Sequence, residues 1–239
     1  MKPYKMKVEI WSDVICPFCY IGKRKFETAL SQFKHSDSIE IVWKSYQLAP
    51  DFKTDPNKSV YQVLAEHKGM SLEQAKGISD QVVSMAKQVG LVYHFEKTIP
   101  ANSFNANRLS QLAKHRGFQE AVEEVLFKAY FTDGRNIDDI PTLIDLGKEI
   151  GLDSTEVKTV LETNLYMDEV EQDLSEASQI GIRGVPYFLF DSKLAVSGAQ
   201  ESATFLQILE KSFAEWEKEN PKQTLVAIEG QTCKVGEDC

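Results

Sequence analysis

The sequence predicts an α/β protein in which a βαβ unit and a ββα unit are separated by a long helical segment. Apolar residues alternate over positions 7–11 and return in a β-rich run at 39–46, with a helical stripe between them. Two further apolar runs, at 181–190 and 194–199, enclose a polar turn and predict a hairpin. Strand signals are absent between residues 56 and 179. This order predicts one framework that is interrupted once, after its second strand.

The connection between the first strand and the first helix contains the sequence Cys16-Pro17-Phe18-Cys19. Pro17 suits the first position of a helix, because its missing N–H would have no partner there and its fixed φ is already helical. Cys16 then occupies the N-cap, and Cys19 follows about one turn later on the same side of the helix. The two sulfurs are therefore expected to lie close enough to form a small disulfide ring. A βαβ start of this kind also predicts a right-handed crossover between two parallel strands.

The N-terminus of a helix favours a negative charge, because its N–H groups are unpaired and the helix dipole is positive there. We therefore expect Cys16 to ionise more readily than a free thiol and to act as a nucleophile. Cys19, shielded by the first turn, is expected to be the resolving thiol that attacks a mixed disulfide formed at Cys16. The same spacing is also compatible with half of a zinc site or with two unconnected buried cysteines.

The interrupting segment is predicted to be helical throughout. Ser71 and Gln74 form a capping box at the start of a helix that extends to Gly90. The clearest amphipathic stripe lies at 118–130, and further helices of this segment are predicted at 104–116, 141–150, 154–162 and 168–179. Outside the segment, a final helix is predicted at 201–216. We therefore predict a discontinuous framework domain at 1–55 and 180–218, an inserted helical domain at 56–179 and a C-terminal tail at 219–239.

Composition narrows the classes of partner. The chain has 239 residues and a net charge of −9, which disfavours nucleic acid or an anionic membrane surface as the main partner. No apolar run approaches the ~18 residues that a membrane span requires. The basic residues near the N-terminus precede only a short apolar run at 8–12, unlike a signal peptide. We therefore expect a cytosolic protein with no membrane or nucleic-acid partner.

Two motifs together resemble a known family. The sequence around Cys16 and Cys19, with Gly184-Val185-Pro186 near the hairpin, resembles the DsbA-like thioredoxin family. It is most similar to the cytosolic FrnE type, whose patterns S-D-x-x-C-P-x-C-x-x-G and G-x-x-G-V-P-x-F are matched at 12–22 and 181–188. Residues 102–103, 107–108 and 127–131 also resemble that family. The resemblance implies a thioredoxin fold with a large α-helical domain inserted after the second strand.

The resemblance also implies an activity and a set of site residues. It implies a thiol–disulfide oxidoreductase that reduces, forms or isomerises protein disulfides through Cys16, the exposed nucleophile, and Cys19, its partner. Pro186 would be a cis-proline facing the two sulfurs, and Val185 would offer backbone groups to an extended substrate. The implied partners are protein or peptide disulfides and a cellular thiol reductant. No cofactor is implied beyond the redox-active disulfide, although glutathione could serve as a co-substrate.

Phe18 departs from the family pattern. The FrnE type more often has Trp at this position and periplasmic DsbA has His, which would stabilise a thiolate by its charge. Phe18 cannot do this, and Asp13 lies close enough to oppose a negative charge, so we expect a weaker oxidant than the periplasmic relatives. Pro17 and Phe18 are expected to contact the substrate.

Two other functions use similar architectures or surfaces. Hydroxychromene-carboxylate isomerases and kappa-class transferases share the fold and act with glutathione on small molecules, but they typically have Ser at the position of Cys16. A non-enzymatic, chaperone-like module could use the cleft beside the helical insert, and it would not need the cysteines. The intact Cys16/Cys19 pair favours the oxidoreductase. The oligomeric state stays open.

Other polar residues carry weaker signals. Glu123 and Glu124 are expected to lie on a solvated helix face. The histidines show no metal-ligand spacing, so no metal site is predicted from them: His35, His67, His94 and His115.

A second cysteine pair, Cys233 and Cys239, lies beyond the family pattern. Five intervening residues that include Gly236 can close a disulfide loop, so an auxiliary redox pair is sterically reasonable. A passive exposed pair and a zinc site built from all four cysteines are the alternatives.

If the second pair exchanges electrons with the first, a mixed disulfide between the pairs should accumulate in a Cys19→Ser variant. Removal of the resolving thiol leaves Cys16 unable to release a bound partner. Peptide mass spectrometry after alkylation would identify a Cys16–Cys233 or Cys16–Cys239 linkage. Its absence across a range of redox buffers would contradict the exchange.

Overall fold

The computed structural model describes residues 5–221 and contains one four-stranded sheet. The strands are β1 Met6–Ser12, β2 Ile39–Ser45, β3 Tyr187–Phe190 and β4 Leu194–Ser197, in the order β2-β1-β3-β4. β1 pairs in parallel with β2 and antiparallel with β3, and β3 pairs antiparallel with β4. The predicted βαβ and ββα units therefore form one mixed sheet, which confirms the predicted fold class.

Nine α-helices surround the sheet within the described residues. Their bounds are α1 Pro17–Gln32, α2 Val60–Lys68, α3 Leu72–Gln88, α4 Phe104–Arg116, α5 Gln119–Lys128, α6 Ile140–Glu149, α7 Ser154–Glu162, α8 Met167–Gln179 and α9 Ser202–Glu219. A 3₁₀ turn, Ser36–Ser38, precedes β2, and a π-helical turn, Ala129–Asp133, follows α5. Helices α2 to α8 lie between β2 and β3 in the chain. The proposed domain boundaries at 55/56 and 179/180 stay a prediction.

Helix α2 was not predicted from the sequence. It carries a complete capping box, in which the Ser59 hydroxyl accepts from the Gln62 N–H and the Gln62 side chain accepts from the Ser59 N–H. However, none of its residues is fully buried. Because it buries no apolar stripe, the periodicity that identifies amphipathic helices is weak there.

The first of two hydrophobic cores, here called the sheet core, lies between the sheet and helices α1 and α9. Phe26 of α1 packs against Phe188 of β3 and Phe205 of α9, with ring centroids 5.4 Å and 5.6 Å away. Val8 and Ile10 of β1 are buried in the same core. The central strand is therefore covered by α1 and α9 through aromatic contacts.

The second core, here called the helical core, is formed by α3 to α7 and the first turns of α1. Leu109, Leu126 and Phe127 are fully buried there, together with Tyr20 of α1. The Tyr20 ring stacks on Phe127 with centroids 4.9 Å apart. Helices between β2 and β3 thus share one core with the start of α1.

Charged residues strengthen the contact between α1 and α5. Lys23 is buried, and its Nζ lies 2.7 Å from Glu120 and 3.0 Å from Glu124. Burial alone would lower the pKa of Lys23, but Glu120 and the adjacent Glu27 hold it above its usual value. Glu124 also pairs with Arg24. Glu124, which was expected on a solvated helix face, is half-buried and pairs with two cations of α1.

Glu123 is also buried, with 5% of its surface exposed. Its Oε1 accepts a hydrogen bond of 2.5 Å from the Ser110 hydroxyl. Burial raises the pKa of Glu123 to about 7, while the Ser110 hydrogen bond opposes the rise. The expectation of a solvated position is wrong for this residue, since α5 turns this side chain towards α4.

None of the helices within residues 5–221 combines the length and hydropathy that a membrane span requires.

The raised pKa of Glu123 predicts a pH-dependent stability. The folded state binds the proton more tightly than the unfolded state, so stability falls as pH rises from about 4.5 through about 7. Glu123→Gln should remove this loss and raise the free energy of unfolding at pH 8 by at most about 3 kcal/mol, with little change at pH 4.5. Urea denaturation across this pH range measures the difference.

Glu171→Gln provides the matched control, because it neutralises an exposed carboxylate on α8. It should leave the pH dependence unchanged. A Glu123→Gln curve parallel to that of the parent protein would contradict the assignment.

Candidate active site

The site lies where β1 ends and α1 begins. Cys16 is the N-cap of α1, with extended backbone angles, and Pro17 occupies the first turn. The Cys16 N–H donates to the Asp13 carbonyl at 2.9 Å, and the Cys19 N–H donates to the Cys16 carbonyl at 3.0 Å. These bonds form a tight turn that places Cys19 one helical turn behind Cys16. Both cysteines are free thiols.

Cys16 is covered by the loop that precedes β3. Only 4% of its surface is exposed, so the expectation of an exposed nucleophile is wrong in this structure. Its thiol donates to the Val185 carbonyl, with Sγ 3.5 Å from the oxygen. The Val185–Pro186 peptide bond is cis, and Pro186 is buried. The Val185–Pro186 loop therefore lies directly over the cysteine pair.

Gly22 allows this loop to approach the helix closely. A Cβ at residue 22 would lie 3.0 Å from Cγ of Pro186 and 3.5 Å from the Phe188 ring. The Pro186 carbonyl also accepts from the Gly198 N–H at 2.8 Å, which fixes the loop to the end of β4. The glycine that ends the cysteine motif thus has a packing role.

Cys19 lies deeper than Cys16, with 1% of its surface exposed. Burial raises the pKa of the Cys19 thiol well above its usual value, and the neighbouring Cys16 raises it further. The Asp13 N–H and the Ser12 hydroxyl act in the opposite direction and lower it. The two thiols therefore have different surroundings, which suits them to different steps of a reaction.

Asp13 has a fully buried carboxyl group that organises the loops around the site. It accepts from the Leu48 N–H at 2.7 Å and from the Ile15 N–H at 3.3 Å. Burial raises the pKa of Asp13 to about 6, while hydrogen bonds from Leu48, Ser103 and Ile15 oppose the rise. Asp13 therefore joins the cysteine turn to the segment that follows β2.

Aromatic residues of the helical core form a wall beside the start of α1. The Tyr93 hydroxyl donates to the Pro17 carbonyl at 2.8 Å. The Tyr93 ring stacks on Phe131 with centroids 4.6 Å apart. Sequence analysis did not identify Tyr93, because its segment has no periodic pattern and its contacts are long-range. Ser103, in contrast, lies in one of the segments that resemble the family.

Phe18 and the Val185 loop face the outside of the site. Phe18 lies between the cysteines in sequence, yet 40% of its surface is exposed. Pro17 and Val185 are half-buried. Three of the residues expected to contact a substrate are therefore more accessible than Cys16 itself.

A groove of about 490 Å³ lies next to the Val185–Pro186 loop. It is lined by the segment after β2, the end of α8 and the residues before the loop, namely Tyr46, Gln47, Pro50, Leu174, Ser178, Gly181, Ile182 and Arg183. Arg183 is exposed and makes no hydrogen bond or ion pair with another residue of the described chain. Its charge is therefore available to a ligand.

Residues 5–221 contain no cluster of three His, Cys, Asp or Glu side chains that could hold a metal ion. A zinc site that includes the auxiliary pair is not tested, because Cys233 and Cys239 lie outside the described residues.

Several proteins of known structure are similar to this chain. A probable DsbA oxidoreductase from Streptomyces coelicolor is 36% identical, with a TM-score of 0.82 and 97% of each chain covered. The cytosolic disulfide reductase DsbM from Pseudomonas aeruginosa, solved with glutathione, is 15% identical, with a TM-score of 0.60 over 90% of this chain and 98% of DsbM. A 2-hydroxychromene-2-carboxylate isomerase is 17% identical, with a TM-score of 0.61 over the same shares. The last two similarities concern the fold alone.

The family assignment rests on most of the chain. Residues 7–210 match the DsbA-like thioredoxin domain, and this range includes both cysteines of the helix, the inserted helices and the Val185–Pro186 loop. The chain therefore belongs to the family of proteins with a DsbA-like thioredoxin domain.

Proposed function

We propose that this protein is a thiol–disulfide oxidoreductase that uses Cys16 and Cys19 on protein disulfides. The observation that carries the proposal is the position of the Cys16 sulfur, at a helix N-cap, 3.5 Å from the carbonyl that precedes a cis-proline, with Cys19 one turn behind it. A thiol at a helix N-terminus is favoured as a thiolate, which is the form that attacks a disulfide.

In the first step, the Cys16 thiolate attacks one sulfur of a substrate disulfide. The substrate S–S bond breaks, a new S–S bond joins Cys16 to that sulfur, and the other substrate sulfur leaves as a thiolate that takes a proton. Cys19 then attacks the Cys16 sulfur and releases the second substrate thiol. Two electrons have passed to the substrate, and the protein holds a Cys16–Cys19 disulfide.

A cellular thiol would return the protein to its dithiol form. Glutathione is suitable by chemistry, because two molecules supply the two electrons and become oxidised glutathione. In a cytosolic compartment kept reduced by such thiols, reduction or isomerisation of substrates is the favoured direction. We propose this FrnE-type cytosolic role for the protein.

Features around the sulfur suit an extended polypeptide. The Val185 backbone lies beside Cys16 and can pair with a substrate strand, and the exposed Phe18 ring offers an apolar contact next to it. The neighbouring groove continues this surface past Arg183. A substrate bound at Cys16 would therefore contact protein on both sides of its reacting cysteine.

The isomerase and transferase alternatives share the fold but have less support from the site. Those enzymes act with a single group at the position of Cys16, whereas this site contains a second thiol within one helical turn. A binding module without chemistry would need neither thiol. The dithiol therefore favours the oxidoreductase.

Cys16→Ser should lower the rate of reduction of a disulfide-bonded peptide to below about 1% of the parent rate, because the nucleophile is lost. Cys19→Ser should instead accumulate a covalent Cys16–peptide adduct. Mass spectrometry without reductant measures the adduct, and a coupled glutathione reductase assay measures the rate.

A Cys233→Ser/Cys239→Ser protein tests whether the auxiliary pair is responsible for any of this turnover. Full activity of Cys16→Ser on a disulfide would contradict the proposal. Full activity of Cys16→Ser on a small aromatic substrate with glutathione would favour the isomerase class.

Arg183 should make the protein prefer substrates with an acidic residue near the reacting cysteine. Two disulfide peptides that differ only in Asp or Lys two residues from the cysteine should differ in kcat/KM by about threefold, because an exposed charge pair contributes little. Arg183→Glu should reverse the preference, and 0.5 M salt should abolish it.

Lys211→Glu is the matched control, because it makes the same change of charge at an exposed position of α9. It should affect both peptides equally. Equal responses of the two peptides to Arg183→Glu would show that Arg183 does not contact the substrate.

A further inference from the structure

Leu48 is a large apolar residue on the surface beside the cysteine turn. It is 48% exposed, so burial of its side chain contributes little to the stability of the fold. Its N–H donates to the Asp13 carboxylate at 2.7 Å, and the Asp13 carbonyl accepts from the Cys16 N–H at 2.9 Å. A single residue, Asp13, therefore connects the backbone of Leu48 to the backbone of Cys16.

The loop that carries Leu48 is held in place by the side chain of Asn102. The Asn102 amide donates to the Pro50 and Phe52 carbonyls at 3.0 Å and 2.9 Å. Its oxygen accepts from the Gln47 side chain at 3.2 Å. The loop is therefore fixed both before and after Leu48. A side chain on a fixed surface loop loses less conformational entropy when a ligand contacts it, which favours a role in binding.

Leu48 also lies beside the groove of the candidate site. Gln47 and Pro50, which flank it in the chain, line the side of the groove that the segment after β2 forms. Arg183 lines the side that the residues before the Val185–Pro186 loop form. Successive side chains of an extended polypeptide point in opposite directions. A polypeptide in this groove would therefore direct alternate side chains towards Arg183 and towards the loop of Leu48.

We propose that Leu48 is a specificity-determining residue that contacts an apolar side chain of the substrate, one or three residues from the reacting cysteine. This inference rests on the proposed oxidoreductase function, because it concerns the polypeptide that Cys16 attacks. The spacing follows from the alternation of side chains, since the acidic residue that meets Arg183 is expected two positions from that cysteine. The preferred substrate segment therefore alternates apolar and acidic residues.

The proposed contact acts on substrate binding and not on the sulfur chemistry. Contact between two apolar side chains removes part of the surface of both from water, and a polar side chain at the same position gains less. Phe18, two residues after Cys16, is 40% exposed and offers a second apolar surface. Leu48 and Phe18 thus border the cysteine turn from two different parts of the chain.

The test compares two disulfide peptides that have leucine or serine at the first and third positions on both sides of the reacting cysteine. The parent protein should reduce the leucine peptide with a kcat/KM about fivefold above that of the serine peptide, because the contact buries only part of each leucine. Leu48→Ala should lower this ratio to below about twofold. A general change in the reactivity of Cys16 would affect both peptides equally and leave the ratio unchanged.

Two further variants separate a substrate contact from a structural role. Leu48→Glu retains the backbone N–H and should make the protein prefer a lysine peptide over the serine peptide by about threefold, because the new charge pair is exposed. Salt at 0.5 M should abolish that preference. Leu165→Ala is the matched control, because it removes a leucine that is 50% exposed and lies before the start of α8, whereas Ser178 of the groove lies in its last turn. It should leave every ratio unchanged.

Each outcome decides the inference. A leucine preference that is absent in the parent protein, that persists in Leu48→Ala or that is lost equally in Leu165→Ala would overturn the role of Leu48 and leave the dithiol mechanism intact. Failure of Leu48→Glu to distinguish lysine from serine would also overturn it. If the parent protein reduces neither peptide faster than Cys16→Ser does, the proposed function itself fails.

Discussion

Helix α1 is buried in two different cores, and the site depends on this constraint. Phe26 and Ala29 pack into the sheet core, whereas Cys19 and Tyr20 belong to the helical core. The first turn is therefore fixed by the inserted helices, and the later turns are fixed by the sheet. A shift of either core relative to the other would move the cysteines relative to the Val185–Pro186 loop.

The polar contacts of α1, like its apolar contacts, fix its position relative to the rest of the protein. The Tyr93 hydroxyl donates a hydrogen bond to the Pro17 carbonyl. Lys23 and Arg24 form ion pairs with Glu124 of α5. Asp13 accepts a hydrogen bond from Leu48, which connects the preceding turn to the segment after β2, and a second from Ile15 within that turn. The proposed mechanism requires the start of α1 to stabilise a thiolate, which needs a fixed geometry, and several separate elements provide that geometry.

Much of the fold could be predicted from the sequence because its elements have strong local signals. The alternation in β1, the Pro17 helix start and the Ser71–Gln74 capping box depend on neighbouring residues only, and each matches an element of the structure. Helix α2 was missed because it buries no stripe. The role of Gly22 could not be predicted, since the proline ring that requires it is more than 160 positions away.

In the site, too, the features with local signals could be predicted, and those that depend on distant residues could not. The cysteine pair is a local motif, but the burial of Cys16 results from a loop before β3, and no pattern around residue 16 indicates it. Glu123 and Glu124 were assigned to a solvated face because an acidic pair on a helix usually is solvated. The hydrogen bond of the buried Glu123 to Ser110 and the ion pairs of Glu124 with Lys23 and Arg24 form only when three helices pack together.

The thiol proton of Cys16 and a substrate strand compete for the same acceptor. The Val185 carbonyl accepts from the thiol while Cys16 is protonated, and it has no such donor once the thiolate forms. In the proposed mechanism, a substrate N–H that pairs with this carbonyl takes the place of the thiol as its donor. Docking of the polypeptide and loss of the hydrogen bond between Cys16 and Val185 are therefore one event.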